Sequence, residues 1–161
     1  MYITFEEYAS IYGSVDERSF NRLAFDACRK IDRHTTGIDG VKKLKVAFPS
    51  DEDSAEAVRR CAAKLVNLLF LIQEAETSAS VGNGYTQTEN GVHRNLIASV
   101  SAGNESISYS TGATQATVFD AAVSDISVRD NLIYRTIREG LSGVQDANGV
   151  NLLYMGVYPC V

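Results

Sequence analysis

SDEDSAEAVRRCAAKLVNLLFLI, residues 50–72, begins as a helix begins and then places apolar residues three and four apart. Ser50, Asp51, Glu52 and Asp53 put capping oxygens and negative charge at a helix start. There, unpaired backbone N–H groups and the positive end of the dipole need both. Ala55, Val58, Ala62, Leu65, Leu69 and Ile72 then share one face. From Leu65 to Ile72 only Asn67 is polar, so this part of the helix is predicted to be buried on most sides. The centre of one bundle or a position between subunits would each explain that.

Upstream, Thr4 and Glu7 form a capping box, in which each side chain takes the other's orphan N–H. It opens a short helix that stops near Gly13. Asp16 caps a second helix, with Phe20, Leu23, Ala24, Ala27 and Ile31 on its apolar face. That helix ends near residues 34–37. Residues 38–50 read as a connector with one short helical turn, punctuated by Gly40 and Pro49 and made basic by Lys42, Lys43 and Lys45.

Downstream, the composition turns polar at Thr77. Asn83-Gly84 and Asn90-Gly91 are hairpin signals, and residues 77–95 read as a long exposed loop or two-stranded arm. In IASVSAGNESISYS, residues 97–110, Ile107 and Tyr109 alternate with serines, the pattern of a half-buried hairpin strand. Ser124 or Ser127 caps a further helix, which uses Ile126, Leu132, Ile133 and Ile137 and stops at Gly140 and Gly143. Residues 146–149 form a turn. NLLYMGVYPCV, residues 151–161, reads as a final strand broken by Pro159. An apolar chain end is normally tied down, on its own subunit or on a neighbour.

The expected fold is mainly α: a small helical bundle with a β-hairpin and an extended C-terminal strand. The expected organisation is one domain with arms: a helical core over 1–81, a polar loop and hairpin over 82–110, and a C-terminal helix and tail over 111–161. The chain has 161 residues, 45% of them hydrophobic and 22% charged, enough to bury a core. A net charge of −5 argues against gripping nucleic acid by phosphate neutralisation. Cys28, Cys61 and Cys160 show neither metal nor disulfide-framework spacing, and reduced thiols are expected. The longest apolar run, residues 65–72, is far too short for a membrane span. No targeting segment is expected, because Glu6 and Glu7 stand where a signal peptide needs a basic and then apolar start.

No reactive constellation emerges, so the chain is expected not to be an enzyme, with no catalytic, cofactor or metal residues. Gly82-Asn83-Gly84 lacks the third glycine and the preceding strand of a dinucleotide fingerprint. His34 sits at a helix C-terminus, where an imidazolium suits the dipole, and His93 lies in a polar loop. Asp51, Glu52 and Asp53 serve a helix start before they serve a cation. Arg18, Arg22, Arg29 and Arg33, interleaved with acids, read as a solvated face rather than a phosphate site.

Four segments taken in order resemble one family: YITFEEYASIYG (2–13), FNRLAFDACRKIDRHTTG (20–37), the 97–110 hairpin and LLYMGV (152–157). Together they look like the head–tail connector (adaptor, or head completion) proteins of tailed bacteriophages, as encoded by phages and prophages of Gram-positive bacteria. The resemblance covers most of the chain, and the order of soft motifs carries it. It implies a homo-oligomeric ring, typically of twelve, attached beneath the portal in the virion neck after host-cytoplasmic assembly. It implies partners in the portal protein and a stopper or tail-completion protein. DNA would pass through the channel without specific binding. It gives Leu152, Leu153, Tyr154, Met155, Gly156 and Val157 a docking role, with Ile107 and Tyr109 as hairpin interface residues. A tail-completion or stopper protein is the structural alternative, and a small cytosolic enzyme with no identifiable site the alternative of another class. A DNA-binding regulator is disfavoured by charge. Deleting residues 152–161 is expected to leave a folded body that no longer docks.

Overall fold

Six helices carry the described part of the chain, which is mainly helical. The computed structural model describes residues 1–13, 15–82, 85–88, 91–94, 99–102, 105–108 and 117–159, with backbone alone inside 80–116.

Helix α1 (Phe5–Ile11) starts at the Thr4 capping box. Thr4 Oγ1 accepts the Glu7 N–H at 3.2 Å and Glu7 Oε2 accepts the Thr4 N–H at 2.7 Å. Helix α2 (Glu17–Thr35) starts at Asp16, which accepts the Ser19 N–H at 3.0 Å. The five apolar residues of its predicted stripe are all buried. Burying Phe20, Leu23 and Ile31 contributes about 1.5–3 kcal/mol each. Phe20 also meets the rings of Phe5 and Tyr8, at 5.5 and 5.3 Å between centroids, which fixes α1 on α2. Helix α3 (Lys43–Val46) is the single turn expected in the connector.

Helix α4 (Glu52–Gly82) opens where Asp51 Oδ2 accepts the Ser54 N–H at 2.9 Å. Val58, Cys61, Ala62, Leu65 and Val66 are buried, and residues 67–71 are half-buried. The helix runs past the predicted composition break at Thr77. Propagation adds one bond for each residue fixed, and the Thr77 hydroxyl donates to the Gln73 carbonyl at 2.9 Å instead of breaking the ladder.

Helix α5 (Val118–Ser124) opens on a second capping box, Thr117 with Asp120. Helix α6 (Ile126–Gly140) follows, and Asp125, not Ser124 or Ser127, accepts the Ser127 N–H at its start. A carboxylate is a stronger acceptor than a hydroxyl at the positive end of a helix.

The chain divides into two units, each with its own packing. One comprises Met1–Phe70 with Asp130–Val161. Its core joins α1, α2, α4 and α6 with Leu44, Leu141, Val144 and Leu152. At Gly140 a Cβ would lie 2.9 Å from the Cys61 side chain, so α6 can cross α4 this closely only at a glycine. The other unit, Leu71–Arg129, holds Arg129 between the Glu76 carboxylate (2.7 Å) and the Ala122 carbonyl (3.1 Å). Within it the backbone of β1 (Tyr85–Thr88) pairs antiparallel with β2 (Gly91–Arg94), and that of β3 (Ser99–Ala102) with β4 (Glu105–Ser108). The predicted half-buried hairpin face through Ile107 and Tyr109 lies outside the described side chains. It has no support among the described residues.

The predicted C-terminal strand is corrected. Residues 150–159 form no strand: a turn at 152–153 and a bend at 156 interrupt irregular chain, with one isolated bridge between Gln145 and Asn151. Strand carbonyls alternate in direction. Here the carbonyls of Asn151, Leu152 and Tyr154 converge on one ammonium, which an extended strand could not do.

Candidate functional site

Lys43 organises the last described segment. It is fully buried in the turn of α3. Its Nζ donates to the Asn151 carbonyl at 3.3 Å, to the Leu152 carbonyl at 3.2 Å and to the Tyr154 carbonyl. The same ammonium lies 5.5 Å from the centre of the Tyr154 ring. Burial pushes Lys43 below the ordinary lysine range, while Asp146 and Asp39 hold its charge in place. Three acceptors satisfy the three ammonium donors, which is what a buried lysine needs.

Two carboxylates complete the clamp. Asp39 accepts the Tyr158 N–H at 2.6 Å and the Val41 N–H at 3.1 Å, and these bonds draw its carboxyl below the usual range. Asp146 accepts the Asn148 and Val150 N–H groups, both at 2.9 Å, and closes the turn that sends the chain back. Its other oxygen accepts the Tyr158 hydroxyl at 2.7 Å, to which Asn148 donates at 2.9 Å. Burial first and the Asp146 bond second raise the Tyr158 phenol above its ordinary value.

Backbone contacts finish the latch, residues 151–158. Leu152 donates to the Val144 carbonyl at 2.9 Å, and Ile38 donates to the Met155 carbonyl at 3.0 Å. A Cβ on Gly37 would stand 2.5 Å from the Gly156 carbonyl oxygen, so only a glycine admits this approach. Gly37, read from sequence as a helix terminator, is also a seat for the tail.

Of the sequence-predicted docking residues, Leu152 points into the core, and Leu153 and Gly156 are half-buried. Tyr154, Met155 and Val157 face outward at 52%, 57% and 66% exposure, beside Ile38 at 81%. Ile107 and Tyr109 lie outside the described side chains. Lys43, Asp39 and Asp146 were missed. Lys43 lies in a run of three lysines, and nothing in composition separates the buried one from the exposed ones.

Burial raises the Cys28 thiol, and raises that of Cys61 to about 12. His34 is the reverse of the dipole expectation. Burial first, then Arg33 and Lys30, hold its pKa down, with Asp130 opposing. The described residues contain no group of three or more histidines, cysteines or acids placed to hold a metal ion. Among them, no helix is long and apolar enough to cross a membrane.

Comparison of the chain with protein-family models, with curated proteins and with solved structures gives no significant match.

Proposed function

We propose that this chain is a structural virion protein, a head–tail connector of a tailed phage. In this reading it assembles as a ring beneath the portal, leaves a channel for DNA and docks through its latch. The observation that carries the reading is the way the latch is held. Lys43 and Asp39 fix its backbone on its own subunit, and Tyr154, Met155 and Val157 stand outward beside Ile38. Apolar side chains on a pre-ordered backbone suit a docking surface, because the cost of ordering is met before binding. The order of segments that resembles the connector family supports the same reading, and the net charge of −5 suits a channel that does not retain DNA.

The test uses purified portal and full-length chain, observed by electron microscopy and native mass spectrometry. The wild type should form a ring on the portal. The double variant M155D/V157D should keep its circular dichroism spectrum and lose portal affinity at least about tenfold, as loss of a desolvated apolar anchor does. A wild-type chain that stays monomeric with no portal affinity would overturn the proposal.

A further inference from the structure

One patch opposes the sign of the whole molecule. A groove of about 900 Å³ between α2 and the α3 connector is lined by Arg29, Lys30, Arg33, Lys42 and Lys45. Only Asp26 and Asp32 counter them there, and Asp32 is already engaged by the Tyr2 hydroxyl and by Lys45 at 3.7 Å. Among the described residues, Arg29, Lys30, Arg33 and Lys42 make no salt bridge. Arg29 lies instead over the ring of Phe25, 5.8 Å from its centre, and that ring is 60% exposed. Five cations against two carboxylates leave an excess of three positive charges on a chain whose net charge is −5.

The opposite surface lies at the start of the same helix. Glu6, Glu7 and Glu17 line a shared depression beside Met1, which is 74% exposed. Arg59, on Glu7 at 3.8 Å, and the Met1 α-ammonium are the cations among these lining residues, which leaves the three acids in excess. Glu17 and Arg29 are twelve residues apart on α2, about 18 Å along the helix at 1.5 Å per residue, too far to pair within one copy.

We propose that the basic groove of one subunit takes the acidic α1–α2 end of a second copy of this chain. The two patches differ in sign and in place, so the contact is head-to-tail and can repeat around a closed ring. Complementary charge sets register and steers encounter. Each patch also presents exposed apolar surface, Phe25 on the groove and Met1 with Phe48 on the acidic end. A protein partner fits better than nucleic acid, because Asp26 and Asp32 would repel a phosphate backbone and Phe25 offers it nothing on a duplex. The inference rests on the ring part of the proposed function and assigns the surfaces that make the ring.

Charge swapping tests it by sedimentation velocity of the full-length chain at low and high salt. R29E/R33E/K42E reverses the groove, and E6K/E17K reverses the other end while sparing the Glu7 capping box. All five residues are exposed. R29Q/R33Q/K42Q is the milder groove variant, and circular dichroism checks every fold. Wild type should self-associate at low salt and dissociate as salt rises. Each charge-reversal variant alone should associate at least about tenfold more weakly, and an equimolar mixture of the two should recover association. A wild type that stays monomeric at low salt, or a mixture that fails to recover, overturns the groove contact. Loss of duplex-oligonucleotide binding in R29Q/R33Q/K42Q, where wild type binds, overturns it in favour of nucleic acid. Purified portal separates the two proposals. A groove-reversed chain that still forms rings on the portal sinks the groove contact alone. Swap rescue without any portal affinity upholds the contact and sinks the connector role.

Discussion

Helix α2 and the latch, residues 151–158, are fastened to the same unit by different physics. Helix α2 buries five apolar side chains along one stripe, so its attachment is spread over many contacts of modest strength. The latch buries Leu152 and Tyr158 and rests Leu153 on the core, but most of its length hangs on polar groups: the Lys43 ammonium, the Asp39 and Asp146 carboxylates and a few backbone N–H groups. A stripe weakens by degrees when one residue is lost. A clamp around a buried charge fails at one atom, because the charge left behind has no solvent. That difference also suits their roles in the proposed reading, with α2 as scaffold and the latch as a presented surface.

The largest effect should come from removing residues 151–161. For deletion of residues 152–161 the sequence expectation was a folded body without its docking arm. The structure changes that outcome, because the truncation deletes a fully buried leucine and strips Lys43 of its three carbonyls. A loss of at least about 5 kcal/mol is expected, from the core Leu152 at about 3 and the buried Tyr158 ring at about 2 or more, while the Lys43 ammonium returns to water. Urea unfolding of the truncated chain measures it, and an unchanged midpoint would mean the latch adds nothing to the core.

Phe20→Ala is next, at about 3–5 kcal/mol for an aromatic that is 1% exposed. Exchange of the latch amides should stay native in the molecules that remain folded, which separates stripe from clamp. Gly37→Ala should cost about 1–3 kcal/mol, since its Cβ meets a backbone oxygen that must shift. Its damage should be confined to the latch, read as faster proteolysis within 151–158.

The smallest effect concerns pH. His34 titrates below its ordinary value in the folded chain, so below about pH 6.5 the unfolded chain binds a proton the folded one resists. Stability should therefore fall as pH drops through that region, and His34→Gln should flatten the fall in midpoint measured from pH 7.5 to 5.5. A steeper fall in the variant would contradict the shift.

The same contrast governs what could be read from the chain. Periodicity leaves a mark in sequence, so the α2 stripe, the α4 face and the Thr4 capping box were all legible. Helix α5 was legible in principle, since Thr117 and Asp120 repeat the Thr4 and Glu7 pattern. The clamp leaves no such mark. Lys43 meets main-chain carbonyls more than a hundred residues away, and carbonyls are the same for every residue type. Hydropathy found the tail but could not say that Leu152 turns inward while Met155 turns out, because turns rather than a strand decide it. The helix continued past Thr77 for a similar reason: composition described the side chains, and the ladder followed the turn before.

Amide hydrogen exchange on the isolated chain tests the central claim, that the latch is held by its own subunit. The Ile38, Leu152 and Tyr158 N–H groups bond to Met155, Val144 and Asp39. In the wild type all three should be protected without any partner, and in Lys43→Met the Ile38 and Tyr158 amides should lose protection together while the α2 amides keep theirs. Tyr158 exchanging at the rate of an unstructured peptide in the wild type would contradict the account.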